Sequence, residues 1–182
     1  MARTTTAFAV AALVVVLAVA VFAYRHGTGE GEADGDGSGA AGNGSVVKVI
    51  DGDTLVVRLG SGDEHLRLIG IDTPESVATD RPNECYGKEA SARLAELLPP
   101  GTAVRVERDV EPRDRYDRLL GYLYRVGDGL FVNQDMVAKG FAIAKAFPPN
   151  TMFEPPLEAA EAEARNATAG LWSACGSADV PL

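Results

Sequence analysis

Acidic residues stand where two apolar segments begin or end. Asp53 comes directly before a β-branched segment, and Asp72 directly follows another, with Glu75 three residues later. If the fold brings these ends together, the carboxylates form an oxygen-rich cluster that suits a hard cation, Ca²⁺ above all. The proline after Thr73 restricts that threonine to extended geometry and fixes the direction of its carbonyl beside Asp72. Zinc is not expected, because two cysteines and two histidines show no zinc-ligand spacing.

Arginines supply the complementary chemistry. Arg67 lies inside the mostly apolar run His65–Ile71, and Arg118 ends the charged stretch Arg113–Arg118, just before another apolar segment. Planar guanidinium groups donate paired hydrogen bonds that strengthen as charge builds on phosphoryl oxygens. Two such groups beside one cation would meet the needs of phosphodiester hydrolysis.

Each of these motifs also has a purely structural interpretation. Asp-Gly-Asp at 51–53 is common in hairpin turns, and the acids of 72–75 can cap a helix or line a loop. Arg67 can lie on the solvent face of its strand. The alternating charges of Arg113–Arg118 are typical of a solvated hairpin loop. Their occurrence together is what favours a site.

The elements that must position these residues follow from hydrophobic periodicity and turn chemistry. Period-two, β-branched segments predict five strands, at Val46–Ile50, Thr54–Leu59, His65–Ile71, Thr102–Arg108 and Leu119–Val126. Helical patterns run from Tyr86 to Leu98, from about Asn133 to Lys139, and from Pro155 to about Ala167. Five short strands with a helix between the third and fourth favour a closed Greek-key barrel over a sandwich. We therefore expect an α+β fold, mainly β, with about three helices.

Composition divides the 182 residues into four parts. Residues 1–26 contain a long apolar run that predicts either a transmembrane anchor or a cleaved signal peptide. Residues 27–45 are glycine-rich and acidic, as in a disordered linker. Residues 46–176 form one domain of ordinary size, expected to be monomeric, and 177–182 a short tail. The charge distribution around the apolar run predicts a secreted domain or one on the extracellular face of the membrane.

The two cysteines are Cys85, just before the first predicted helix, and Cys175, near the C-terminus. An even pair in a chain directed to an oxidising space predicts a disulfide. The alternative is two buried thiols.

The motifs VIDGDT, RLIGIDTPE, YGKEAS, RDRYDRLLGYLY and GLW, taken together, resemble the staphylococcal-nuclease family in order and spacing. The resemblance covers about residues 46–172. It implies an OB-fold barrel and Ca²⁺-dependent hydrolysis of DNA and RNA, with 3′-phosphorylated products. The metal ligands that it implies are Asp53, Asp72 and the Thr73 carbonyl, and the groups acting on water and phosphate are Glu75, Arg67 and Arg118.

The surroundings of Arg118 and one later segment supply candidate substrate contacts. We expect Arg115 and Tyr116 to contact nucleic acid, single-stranded by preference. Phe147 is the candidate base-stacking aromatic, or alternatively a core residue. Asp117 stands where many family members have glycine, so its carboxylate either pairs with Arg118 and weakens phosphate capture or faces solvent.

The formal net charge of −9 is unusual for a protein that binds a polyanion. A few arginines can nevertheless create a positive cleft on an acidic protein. The alternative function is a non-catalytic OB-type module that binds nucleic acid or protein, and a third is a structural Ca²⁺ site. The joint presence of the metal acids, Glu75 and both arginines favours the enzyme.

Overall fold

The computed structural model of the chain describes residues 43–60, 62–76, 83–177 and 180. The predicted N-terminal segment 1–26, most of the linker 27–45 and most of the tail 177–182 lie outside the described residues. Within the part described, no helix is long and apolar enough to cross a membrane.

Five strands close into a barrel, as the sequence predicted. They are β1 (Gly44–Asp51), β2 (Thr54–Leu59), β3 (Gly62–Leu68), β5 (Ala103–Glu107) and β6 (Leu119–Arg125). Strand β1 pairs antiparallel with β2 and β5, β2 pairs with β3, and β5 pairs with β6. A parallel pairing of β3 with β6, in which Leu66 faces Leu119, closes the barrel. Closure removes the free strand edges of an open sheet.

The third predicted strand does not continue to Ile71. It ends at Leu68, and the chain bends before a separate short strand, β4 (Gly70–Asp72). Gly70 has a φ of 76°, in the left-handed region that side chains with a Cβ rarely adopt. Strand β4 pairs antiparallel with β8 (Ile143–Lys145) instead of continuing along the barrel. This bend carries Asp72 away from the barrel wall and toward β8.

Helices lie where the sequence predicted them, with each end shifted by one residue. They are α1 (Gly87–Leu97), α2 (Val132–Ala138) and α3 (Glu154–Asn166), followed by a short unpredicted helix, α4 (Leu171–Ala174). The unpredicted strand β7 (Leu130–Phe131) pairs with β6. Leu94 of α1 and Leu157 of α3 are fully buried and belong to the same hydrophobic cluster as the barrel interior. The helices therefore cover the barrel and join its core.

Alternate residues of the barrel strands fill the interior. Leu55 and Val57 of β2, Leu66 and Leu68 of β3 are all fully buried, as period-two patterning requires. Asn133, also fully buried, accepts a hydrogen bond from Leu123 N at 2.9 Å through Oδ1. Its Nδ2 donates to the Ile69 carbonyl at 2.8 Å. The side chain thus satisfies a backbone carbonyl that the β3–β4 bend leaves without a ladder partner.

Candidate active site

Asp53 sits in the tight connection between β1 and β2, and its carboxylate is buried. Thr54 Oγ1 donates to Asp53 Oδ1 at 2.9 Å. Thr73, just after β4, donates to Oδ2 with its backbone N–H at 3.2 Å and its hydroxyl at 3.0 Å. These bonds fix the carboxylate and join the β1–β2 turn to the end of β4.

Arg67, on β3, spans the two aspartates that the sequence predicted as metal ligands. One terminal nitrogen forms an ion pair with Asp53 Oδ2, and the other donates to Asp72 Oδ1 at 2.6 Å. Burial lowers the pKa of the Arg67 guanidinium, and the charge of Asp72 acts in the opposite direction. An arginine remains protonated at neutral pH even so. Arg67 therefore points into the polar site and not into solvent.

The Glu75 backbone is anchored by Glu84 and by close helix packing. Its backbone N–H donates to Glu84 Oε2 at 2.8 Å, and Glu84 N donates back to the Glu75 carbonyl at 2.8 Å. Gly87, the first residue of α1, lies so close that an added Cβ would stand 2.6 Å from the Glu75 carbonyl oxygen. Glycine is therefore what allows α1 to begin against the Glu75 segment.

Asp51 borders Glu75 and was not assigned a role from sequence, although it belongs to the same Asp-Gly-Asp motif. Its Oδ1 accepts hydrogen bonds from Ser76 Oγ at 2.6 Å and from Gly52 N at 2.8 Å. Burial raises the pKa of the Asp51 carboxyl, and a hydrogen bond to Glu75 raises it further. The Asp51 and Glu75 carboxyl groups therefore lie close together.

Arg118 is oriented by Asp114, four residues before it. Asp114 Oδ2 accepts from Arg118 Nε at 2.7 Å, and Oδ1 accepts from Arg118 N at 3.0 Å and from Tyr116 N at 2.9 Å. Burial opposes ionisation of Asp114, but the bonds from Arg118 and Tyr116 outweigh it and lower the pKa of that carboxyl. The loop is therefore built around one ionised carboxylate.

Asp117 faces solvent, which decides between the two sequence-based alternatives. Its side chain is 88% exposed, and its nearest basic partner is Arg113 Nε at 3.7 Å, not Arg118. The φ of Asp117 is 63°, in the left-handed region that favours glycine. Glycine would adopt this conformation with less strain than aspartate does.

These groups surround an open cavity of about 600 Å³. Among its lining residues are the predicted Asp53, Arg67, Asp72, Thr73, Glu75, Tyr116 and Arg118, together with the unassigned Asp51, Glu84 and Lys145. Five acids face three basic residues, so the wall carries an excess of carboxylates. Oxygen donors in excess fit a hard divalent cation and not a thiolate- or imidazole-binding metal.

The described residues do not present a preassembled ion site: no three His, Cys, Asp or Glu side chains among them are grouped for metal binding. Asp53 and Asp72 are instead both paired with Arg67. The donor set suits a hard cation in its chemistry, and coordination by Asp53 or Asp72 would compete with the basic side chains now paired with them.

A second cavity, of about 420 Å³, adjoins the first and is lined by the predicted Arg115, Tyr116 and Phe147. Arg67 and Arg118 border both cavities. Phe147 is 56% exposed, so the interpretation as a core residue is wrong. Tyr116 is 63% exposed, and its hydroxyl accepts from Arg115 at 2.6 Å. Two exposed rings therefore border the arginines.

Lys145 had no sequence signal as a site residue, because the structure brings it in from β8. Its Nζ donates to Asp72 Oδ2 at 2.6 Å across 73 positions of sequence. Glu84 likewise reaches the site through the chain segment before α1. Neither residue belongs to a motif that would have revealed it.

Cys85 and Cys175 are joined by a disulfide in the structure, with 6.0 Å between their Cα atoms. The bridge connects the segment just before α1 with the end of α4. Glu84 is the neighbour of Cys85, so the disulfide lies one residue from the wall of the larger cavity.

The fold and site together define an OB-type barrel protein with an acidic, arginine-containing cleft at one edge of the barrel. Comparison with known protein families gives a match to the family described as staphylococcal nuclease homologue, over residues 65–174. The chain belongs to this family.

Relatives with named activities agree with this assignment. The chain is 41% identical to the thermonuclease of Staphylococcus intermedius over 127 residues, which is 70% of this chain and 74% of that protein. It is 38% identical to the thermonuclease of Staphylococcus hyicus over 128 residues, with the same two coverages. It is 35% identical to endonuclease YncB of Bacillus subtilis over 139 residues, 74% of this chain and 63% of that protein.

Proposed function

We propose that this protein is a Ca²⁺-dependent nuclease that hydrolyses phosphodiester bonds of DNA, RNA or both, giving 3′-phosphate products. The observation that carries the proposal is the single cavity in which Arg67 and Arg118 stand beside the carboxylates of Asp53, Asp72 and Glu75. A family of nuclease homologues, with relatives named thermonuclease and endonuclease, supports the reaction class.

Asp53 and Asp72, with Thr73 beside them, are the residues that would hold Ca²⁺. When bound, the ion supplies positive charge that offsets the negative charge developing on the phosphoryl group. Arg67 lines the same cavity, where its guanidinium can act as a bidentate donor to phosphate oxygens. Arg118, held by Asp114, donates from its own loop.

Glu75 is the candidate general base. Its carboxylate takes a proton from water, the water oxygen forms a bond to phosphorus, and the bond from phosphorus to the 5′-oxygen breaks. The 5′-oxygen leaves with a proton from solvent, and the phosphate stays on the 3′-oxygen. Glu84 accepts a hydrogen bond from the Glu75 backbone N–H and so fixes the segment that carries this carboxylate.

Single-stranded nucleic acid is the favoured substrate in this proposal. The exposed rings of Tyr116 and Phe147 border the second cavity, and unpaired bases can stack on such rings whereas paired bases are covered by their neighbours. The cavity shares Arg67 and Arg118 with the first, so a base and its phosphate can be held together.

The test is hydrolysis of single-stranded DNA by the purified protein, in Ca²⁺ and in chelator. We expect Glu75→Gln to lower kcat by about 10²- to 10⁴-fold, the usual effect of losing a positioned base. Glu158→Gln, a matched change at an exposed position of α3, should leave the rate unchanged. A folded wild-type protein that binds DNA but cleaves none at any ionic strength would make the non-catalytic module the better account.

We also propose that the domain works outside the cytoplasm, either secreted or tethered to the outer face of a membrane by residues 1–26. The disulfide between Cys85 and Cys175 supports this, because such bonds persist in oxidising compartments. Fractionation of cells that express the full chain tests it. Recovery of the protein in the cytoplasm, with both thiols reduced, would contradict the proposal.

A further inference from the structure

Lys145 is a basic residue of the site that has no role in the mechanism proposed above. It ends β8, opposite Gly70 of β4, and it is the single lysine among the described residues that line either cavity. Its side chain is 41% exposed, and Nζ lies 2.6 Å from Asp72 Oδ2. The lysine therefore reaches both solvent and a carboxylate of the site.

Both oxygens of Asp72 are occupied by basic side chains. Oδ1 accepts from Arg67 and Oδ2 from Lys145, each at 2.6 Å. Ca²⁺ coordinated by Asp72 would repel the basic groups now paired with that carboxylate, which favours the release of one of these contacts. Lysine carries a compact, well-hydrated charge on a flexible stem, and this one is more exposed than the Arg67 guanidinium, which also holds Asp53. Lys145 is thus the partner that can leave Asp72 at lower cost.

The ammonium group stands at the junction of the two cavities. Lys145 lines the first cavity, and its Nζ lies 5.6 Å from the ring centroid of Phe147, which lines the second. A strand with one phosphate at the arginines and a base against Phe147 would pass this point. A free lysine charge here would meet the backbone of that strand.

We propose that Lys145 binds a backbone phosphate of the nucleic acid, and that Asp72 holds its charge until Ca²⁺ takes that carboxylate. The inference rests on the Ca²⁺-dependent nuclease proposed above. Ca²⁺ binding and nucleic-acid binding then strengthen each other, because Ca²⁺ at Asp72 releases the Lys145 ammonium that binds the phosphate.

Two measurements test the inference without reference to turnover. The first is calorimetric titration of Ca²⁺ into the full chain without nucleic acid. Lys145→Met should tighten Ca²⁺ binding by about three- to tenfold, the scale expected of a partly exposed ion pair. Lys139→Met, at an exposed lysine that lines neither cavity, should bind Ca²⁺ as the wild type does.

The second measurement is the salt dependence of binding to a short single-stranded DNA in Ca²⁺, with Glu75→Gln present throughout to prevent cleavage. Loss of one phosphate contact lowers the slope of log K against log salt concentration by about 0.7 for a single strand. We expect this reduction in Lys145→Met and its restoration in Lys145→Arg. Thermal melts of each variant show that the comparison is between folded proteins.

An unchanged salt slope in Lys145→Met overturns the phosphate contact, and unchanged Ca²⁺ affinity overturns the exchange at Asp72. Both results leave the nuclease proposal standing as long as the wild type binds Ca²⁺ and cleaves DNA. A wild type that binds no Ca²⁺ overturns the metal dependence of the proposed function and this inference with it, and the same titration distinguishes the two failures.

Discussion

Replacing Asp114 by asparagine tests how much the orientation of Arg118, as distinct from its presence, contributes to catalysis. The amide keeps an oxygen that can accept from Tyr116 N and Arg118 N, the two bonds now made by Oδ1. It places a donor where Oδ2 now accepts from Arg118 Nε at 2.7 Å. The loop therefore keeps its backbone bonds while the guanidinium loses its acceptor.

The size of the effect follows from that one contact. A hydrogen bond between charged groups contributes about 1.5–3 kcal/mol, and partial exposure of the Arg118 side chain, 31%, reduces this to about 1–2 kcal/mol. A loss of that size in transition-state stabilisation lowers kcat/KM by roughly 5- to 30-fold. Removing the guanidinium altogether, as in Arg118→Ala, should cost about 10²- to 10³-fold.

The assay is the Ca²⁺-dependent hydrolysis of single-stranded DNA, measured in a double-mutant cycle. If Asp114 acts through Arg118, then Asp114→Asn costs nothing further on an Arg118→Ala background. The matched control is Asp117→Asn, which removes the same charge from the same loop at a position 88% exposed and should leave kcat/KM unchanged. Equal losses from Asp114→Asn in both backgrounds would refute the reasoning.

Asp114→Asn should also change how the free energy of unfolding depends on pH. Because the folded-state pKa of Asp114 is lowered, its ionised form stabilises the protein above the ordinary aspartate pKa of about 4. That contribution is lost as pH falls through the folded-state value. The wild type should therefore be more stable than Asp114→Asn near neutral pH, and the two should converge as pH falls below about 4 in urea unfolding experiments.

Three further predictions concern the surroundings of the site. Gly87→Ala should destabilise the protein by about 1–3 kcal/mol and lower kcat, because a Cβ there would stand 2.6 Å from the Glu75 carbonyl oxygen. Replacing Cys85 and Cys175 by serine should lower the melting temperature, with a cost of up to about 5 kcal/mol for a separation of 90 residues. Phe147→Ala should weaken single-stranded DNA binding by about 5- to 150-fold, the range for loss of one stacked base, and leave the melting temperature unchanged.

Controls for these three exist in the same chain. Gly127→Ala adds a Cβ with nothing within 4 Å and should be tolerated in the same thermal melts. Met152→Ala removes a side chain that is 50% exposed and lines neither cavity, so DNA binding should persist. The disulfide prediction fails if reductant leaves the melting curve of the wild type unchanged. The stacking prediction fails if Phe147→Ala lowers stability and leaves affinity intact.

Local chemistry made the barrel predictable. Alternating apolar residues identified all five of its strands, and turn residues marked the hairpins between the first three, because side-chain direction in a strand has a period of two. Strands β4, β7 and β8 contain only two or three residues each. Segments so short are strands only through their partners, so no pattern within them predicts pairing.

The candidate site, too, was only partly predictable from the sequence. Asp53, Arg67, Asp72, Glu75 and Arg118 belong to compact motifs, so their chemistry was readable, and the structure does bring them to one cavity. The ion pairs that these residues form in the structure could not be predicted from the sequence. That Arg67 spans both aspartates depends on the bend after β3, which places the end of β4 beside the β1–β2 turn.

Local sequence patterns therefore specify the kinds of groups in the site and the succession of the barrel strands along the chain, since both depend on neighbours a few residues apart. Which cations neutralise which carboxylates depends instead on tertiary packing. Lys145 reaches Asp72 across 73 positions because β8 pairs with β4, and Phe147 is exposed because it follows that strand at the rim of the second cavity. Such contacts depend on how distant segments pack, and local sequence patterns carry no record of that packing.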